Sequence, residues 1–305
     1  MQAALVFACD EAFMPLAKGL VLSITDESAR IARYGIMPDL HFIDIGCGME
    51  SLVWLGERAV TVHAFDRRVW DLPPLAPNVP RYADAQLCRP LLPRLIPDYE
   101  VYVWVDCDIW LQGHDVIKTY LDAADMARDK MILAPEWHYG HAFSRSARSA
   151  LAFTHQLYER FYDEHTAEAY CGYPILNSGF FALRRSSSIW TAWLAEIAAV
   201  YGRCGSEPVS LLHLAEQTAL NKILYEHQAF LPIDPLYNYT CGFSAVLRGQ
   251  SGKVTVGYPP MPVLKAVHLV DFKRCGRQYM HKGLLYKRGA YLSATELGKL
   301  EALCA

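Results

Sequence analysis

The chain has 305 residues, enough for one large domain or two small ones. Hydrophobic side chains make up 52% and charged ones 20%, which supplies a core and excludes a disordered or low-complexity chain. The 29 basic and 32 acidic residues leave a formal charge of −3, without the basic excess that grips a phosphate backbone, so no nucleic acid partner is expected.

Ala3–Ala8 (AALVFA) is apolar without alternation and predicts a fully buried strand. A helix follows from Met14 to about Tyr34, with Pro15 tolerated in its first turn. Asp39–Ile45 is a second strand, Met49–Leu55 a short helix and Ala59–Phe65 a third strand. The prolines of Asp71–Pro80 demand a loop, and Pro90 and Pro93 should kink or split the helical pattern of Ala83–Leu95. Glu100–Val105 is a central strand by its β-branched and aromatic content. Lys130–Pro135 is another strand, Trp137–Ser149 a surface loop, and Ser149–His165 a helix. Strand Ile175–Leu183 is followed by helices at Ser188–Val200 and Leu211–Glu226, then by a late strand, Leu264–Val270. The tail Ser293–Cys304 opens with a capping box.

Strand–helix alternation in the first half predicts an α/β fold with a mostly parallel sheet flanked by helices, to which the second half adds further strands. The N-terminus lacks a basic start and carries Asp10 and Glu11, so it does not read as a signal peptide, and no apolar run reaches membrane-helix length. Nine scattered cysteines fit reduced thiols in a cytoplasmic protein.

The sharpest feature is VYVWVDCDIWL, a buried strand ending in Asp106-Cys107-Asp108. Ligands bind beyond the carboxyl ends of strands in such sheets. Two carboxylates one residue apart can turn toward one hard cation, Mn²⁺ or Mg²⁺, shared with a substrate phosphate. Asp-x-Asp triplets are common; the uncharged approach to this one gives it meaning, because a buried strand seldom ends in two acids without a partner.

This strand resembles the metal site of nucleotide-sugar glycosyltransferases with the GT-A fold, and of glycosyltransferase family 8 in particular. Four other segments match in order: Val6–Phe13 (VFACDEAF), Leu176–Leu183 (LNSGFFAL), Leu214–Asn221 (LAEQTALN) and Val267–Lys273 (VHLVDFK). The resemblance implies a single GT-A-like, mostly parallel α/β domain over 1–305. Residues 1–112 would form its nucleotide-binding half, 113–275 its donor and acceptor half, and 276–305 a helical tail. It implies that Ala8, Asp10 and Phe13 meet a uracil, and that Asp106, Asp108 and His268 hold the cation. Lys273 would meet the diphosphate, and Asn177, Glu216 and Gln217 would lie around the donor sugar. It further implies transfer from a UDP-sugar with retention, to a carbohydrate, lipid-linked or protein acceptor.

Four positions depart from the family pattern. Glu216 stands for Asp, Ala12 for Asn, and Asp271 for the Gly after the metal histidine. The family's Arg ahead of the metal strand has its nearest counterpart at Gln86, counted as a donor contact, with Arg81 and Arg89 nearby as substitutes.

Two other readings compete. Asp44-Ile45-Gly46-Cys47-Gly48 after a strand, with Asp66 further on, resembles the cofactor motif of class I S-adenosylmethionine methyltransferases. A nucleotide-sugar binder without catalysis is the third. Trp137-His138-Tyr139-Gly140-His141 is a candidate acceptor loop, its alternative an ordinary surface loop. The basic run Lys273–Arg288 could draw a diphosphate or rest peripherally on an anionic membrane, a solvated face being the default.

Overall fold

A computed structural model describes residues 2–31, 38–70, 72, 83–113, 115–143, 147–204, 212–241, 246–248 and 253–269. Lys273, Asp271, Arg81, the basic run and the tail 276–305 lie outside them.

The first strand, β1 (Ala3–Cys9), is buried along its whole length, as its unbroken apolar sequence requires. Helix α1 (Met14–Ile31) returns to β2 (Asp39–Asp44), α2 (Met49–Gly56) leads to β3 (Val60–Ala64), and these strands pair in parallel. The proline-bearing stretch divides into α3 (Ala83–Leu87), a 3₁₀ turn at Arg89–Leu91 and α4 (Leu92–Leu95). Strand β4 (Val101–Val105), buried at every position, joins β1 in parallel. After it come β5 (Ile109–Leu111), α5 (Val116–Ala127) and β6 (Met131–Pro135). The expected helix at 149–165 is two, α6 (Ala147–Phe161) and α7 (Glu164–Tyr170), the second capped by the Asp163 carboxylate on Thr166 N.

Strand β7 (Leu176–Arg184), α8 (Ile189–Cys204), α9 (Ala215–His227) and β8 (Phe230–Pro232) follow. The seven-stranded sheet has the order β3-β2-β1-β4-β7-β6-β8, and within it β7 alone runs against its neighbours. Alternate side chains along the strands enter two cores. One packs under α1, α2 and α5; the other packs under α3, α4, α6, α8 and α9.

Two readings are corrected. Val116–Ala127 is a helix that the sequence reading passed over; it buries Val116, Ile117, Tyr120, Leu121 and Ala124, a spacing of one helical face. The late strand does not extend the main sheet. β12 (Ala266–His268) lies in a separate three-stranded sheet between β5 and β9 (Tyr239–Thr240), because β5 diverges from β4 at the Asp106–Asp108 turn and offers a new edge. A hairpin of β10 (Val246–Arg248) and β11 (Val254–Val256) completes this part. No described helix is long and apolar enough to cross a membrane.

Candidate active site

Because β7 is reversed, its first residues lie beside the last residues of β4. Asp106 N donates to Gly179 O at 2.7 Å, which sets Asn177-Ser178-Gly179 next to the acidic turn. β12 pairs His268 opposite Ile109, and Leu269 N donates to Asp108 O at 2.9 Å. His268 Nε2 then lies 3.3 Å from Asp108 Oδ1, and ligand atoms of Asp106, Asp108 and His268 fall within 4.8 Å of one another. The expected triad is therefore brought together from positions 160 residues apart. Burial works against a charge on either member of the Asp108–His268 pair, but their mutual attraction prevails: it lowers the Asp108 pKa and raises that of His268.

Asp106 is held from behind. Its Oδ1 accepts from Trp104 Nε1 at 2.7 Å and from Arg89 Nη2 at 2.5 Å. The other arm of the Arg89 fork, Nη1, donates to Glu216 Oε2 at 2.7 Å and to Ser178 Oγ at 2.8 Å. Glu216 is fully buried, and burial pushes its pKa up to about 7 against the pull of Arg89. Gln217, the next residue of α9, accepts from Ser178 N through Oε1 at 2.9 Å and donates through Nε2 to Glu136 Oε1 at 2.9 Å. The same Glu136 oxygen takes Asn177 Nδ2 at 2.8 Å. Asn177 Oδ1 accepts from Gly179 N at 2.8 Å and from Asn238 Nδ2 at 2.9 Å. Asn221 fixes α9 to the strand, meeting both Leu176 N and Leu176 O.

At the end of β1, Ala8 is buried, Phe13 packs on the core, and Asp10 Oδ1 is buried without a partner. Gln86 turns its amide Nε2 to His213 O at 2.8 Å. Arg89, one of the two substitutes and one turn further on, is the residue that reaches the acidic turn, carried inward at the start of the 3₁₀ turn Arg89–Leu91. Sequence reasoning also missed Glu136 and Asn238. Glu136 had a readable signal, being the first acid past the carboxyl end of β6. Asn238 closes a short 3₁₀ turn, Pro235–Asn238, and no pattern marks it.

No family model and no curated protein sequence matches the chain. Solved structures do. The galactosyltransferase LgtC in complex with donor and acceptor sugar analogues superposes with a TM-score of 0.54 at 13% identity, over 98% of this chain and 95% of that one. An active-site mutant of LgtC gives 0.53 at 13% identity, with the same coverage. WbbM, a bifunctional glycosyltransferase in its apo form, gives 0.56 at 13% identity, over 98% of this chain and 51% of that one. The chain has a GT-A-like fold.

In this GT-A-like sheet the glycine-rich turn after β2 is closed by the protein itself. Asp44 Oδ1 accepts from Gly46 N and Cys47 N, both at 2.8 Å, and Gly46 takes a φ of 124° that suits glycine. Glu11 accepts from Gly48 N at 2.7 Å and from Ser51 Oγ at 3.0 Å, so its carboxylate fills the start of α2. Asp66 is forked by Arg68. The groups that a methyltransferase cofactor would use are already engaged. Cys107 is a buried spacer between the two acids. The loop after Glu136 forms a 3₁₀ turn, Tyr139–Phe143, rather than remaining irregular; Trp137 and Tyr139 are exposed while His141 is buried against Tyr239.

Proposed function

We propose that this chain is a metal-dependent glycosyltransferase. It moves a sugar from a nucleoside diphosphate donor, with UDP as the nucleotide, to a hydroxyl of a carbohydrate acceptor, with retention. The observation that carries the reading is the gathering of Asp106, Asp108 and His268 beside Asn177 and Gln217 at the carboxyl ends of strands in a GT-A-like fold. The sugar chemistry of the two superposable enzymes supports it.

The donor set fits a hard divalent cation, Mn²⁺ or Mg²⁺: two carboxylates and one imidazole. The space is kept open by a missing side chain. A Cβ on Gly179 would stand 2.6 Å from Asp106 Oδ2 and 2.8 Å from His268 Cε1. When bound, the cation neutralises charge that develops on the departing diphosphate. Lys273 is assigned the same diphosphate. Asp10, with an unmet buried acceptor, would take an N–H of the base, framed by Ala8 and Phe13. Gln217 is bonded through both ends of its amide, which suits a fixed dipole beside the anomeric carbon better than a nucleophile. Glu216 acts through Arg89, holding the fork that orients Asp106.

The test is a thermal shift with UDP plus Mn²⁺ against S-adenosylhomocysteine. Only the first should stabilise the protein, and Asp108→Asn should remove the metal-dependent part. Stabilisation by S-adenosylhomocysteine alone would sink the reading. NMR of the product's anomeric centre checks retention, and inversion would overturn it.

A further inference from the structure

Hydrogen bonds have a direction, and a chain of them inherits its direction from any member that can act in only one way. The backbone N–H of Gly179 can only donate, so the atom of Asn177 that it meets at 2.8 Å is the carbonyl oxygen. That oxygen also meets the Asn238 amide at 2.9 Å, so Asn238 presents its NH₂ there. Asn238 therefore turns its own carbonyl oxygen to His268 Nδ1, 2.9 Å away. An acceptor at that place requires a proton on Nδ1. The far end of the chain agrees: Asn177 Nδ2 donates to a carboxylate oxygen of Glu136. Asn177, Asn238 and His268 are all buried, so water does not compete for these bonds.

We infer that Asn238 is a positioning residue for the cation site: it holds the proton of His268 on Nδ1 and thereby presents Nε2, the nitrogen beside Asp108, to the metal. Histidines that bind metals commonly give their other N–H to such a partner, which fixes ring orientation and tautomer. Here the partner is itself bonded to Asn177, so the cation triad and the donor-sugar amide share one rigid chain of three buried side chains ending on Glu136. The inference rests on the glycosyltransferase reading for the cation, and Asn238 itself was not selected by any sequence motif.

The experiment measures Mn²⁺ affinity alone, by the electron paramagnetic resonance of free Mn²⁺, on the full chain. Asn238→Ala should weaken binding 10–100-fold. Asn238→Asp keeps an acceptor for Nδ1–H but loses the N–H given to Asn177 Oδ1, so it should recover part of that loss. Equal affinity in Asn238→Ala, with folding confirmed by circular dichroism, overturns the inference, as does an Asn238→Asp variant no better than Asn238→Ala. Should the alanine variant not fold, side-chain ¹⁵N NMR of the unaltered metal-free protein decides, at a pH where the ring is neutral. Nδ1–H is expected, and Nε2–H refutes the proposal. Failure of the functional reading looks different: the unaltered chain would bind no Mn²⁺, or Asp108→Asn would bind it equally well.

Discussion

Arg89 is the residue on which most of the site's charge balance rests. Its guanidinium bridges Asp106 and the fully buried Glu216, so removing it strands a carboxylate in the core. Arg89→Met should cost about 3–5 kcal/mol in a denaturant melt, and Arg89→Met with Glu216→Met should recover part of that loss. A smaller change at Gly179 should be as informative. The Cβ of Gly179→Ala would meet Asp106 Oδ2, Asn177 Oδ1 and His268 Cε1 at 2.6–2.8 Å. We expect about 1–3 kcal/mol of destabilisation by overpacking, together with loss of the thermal shift given by Mn²⁺. Asp106, Asn177, Gln217 and His268 could be picked out of the sequence as candidates because each lies at one end of a strand or in the first turn of a helix, in a recognisable frame. Arg89 was named only as a substitute for Gln86, since Pro90 and Pro93 disturb the helical phase that would have told which of the two points inward. Asn238 was illegible for a different reason: its partners come from β7 and β12, and a short turn carries no periodicity.

Among the elements, β2 and β3 hold a polar chain away from the Asp106, Asp108 and His268 cluster. His63 Nε2 and His41 Nδ1 are 2.9 Å apart, His41 Nε2 lies 2.9 Å from Tyr99 Oη, and that hydroxyl donates to Asp39 at 2.8 Å. Burial, with His63 adding to it, lowers the His41 pKa to about 4, and burial lowers that of His63 too. A histidine kept neutral in the fold contributes its stability above the unfolded value of about 6.5, and loses it as pH falls toward 4. Melts at stepped pH should therefore show a decline through that window, to which His41 contributes on the order of 3 kcal/mol. His41→Gln, which cannot titrate, should flatten it; an unchanged slope would refute the assignment. Helix α5 is the instructive omission at this scale. Its buried face recurs with helical spacing, but β-branched Val116, Ile117 and Thr119 at its start weaken the local signal, and packing on the sheet supplies what propensity does not.

For the whole molecule, the site is assembled by topology. The acidic turn, the amide strand and His268 reach one another only when the main sheet and the small sheet are both formed. Ligands that bind across this junction should stabilise the fold as a unit. At a hundredfold excess over Kd, UDP with Mn²⁺ should add about 2.7 kcal/mol, while either alone should add less. Alternation of strands and helices made the large sheet readable, but the second sheet depends on where β5 departs from β4, and that is decided by a turn of three residues. The reversal of β7 has one more outcome, of use at the bench. The end of that strand away from the chemistry, at Arg184, lies roughly 23 Å from Asn177 at ~3.3 Å per residue. It leads into the exposed pair Arg185 and Ser186. A short peptide tag inserted between those two should leave the response to UDP and Mn²⁺ intact, which makes this corner the natural place to tether the protein to a surface or to attach a reporter dye.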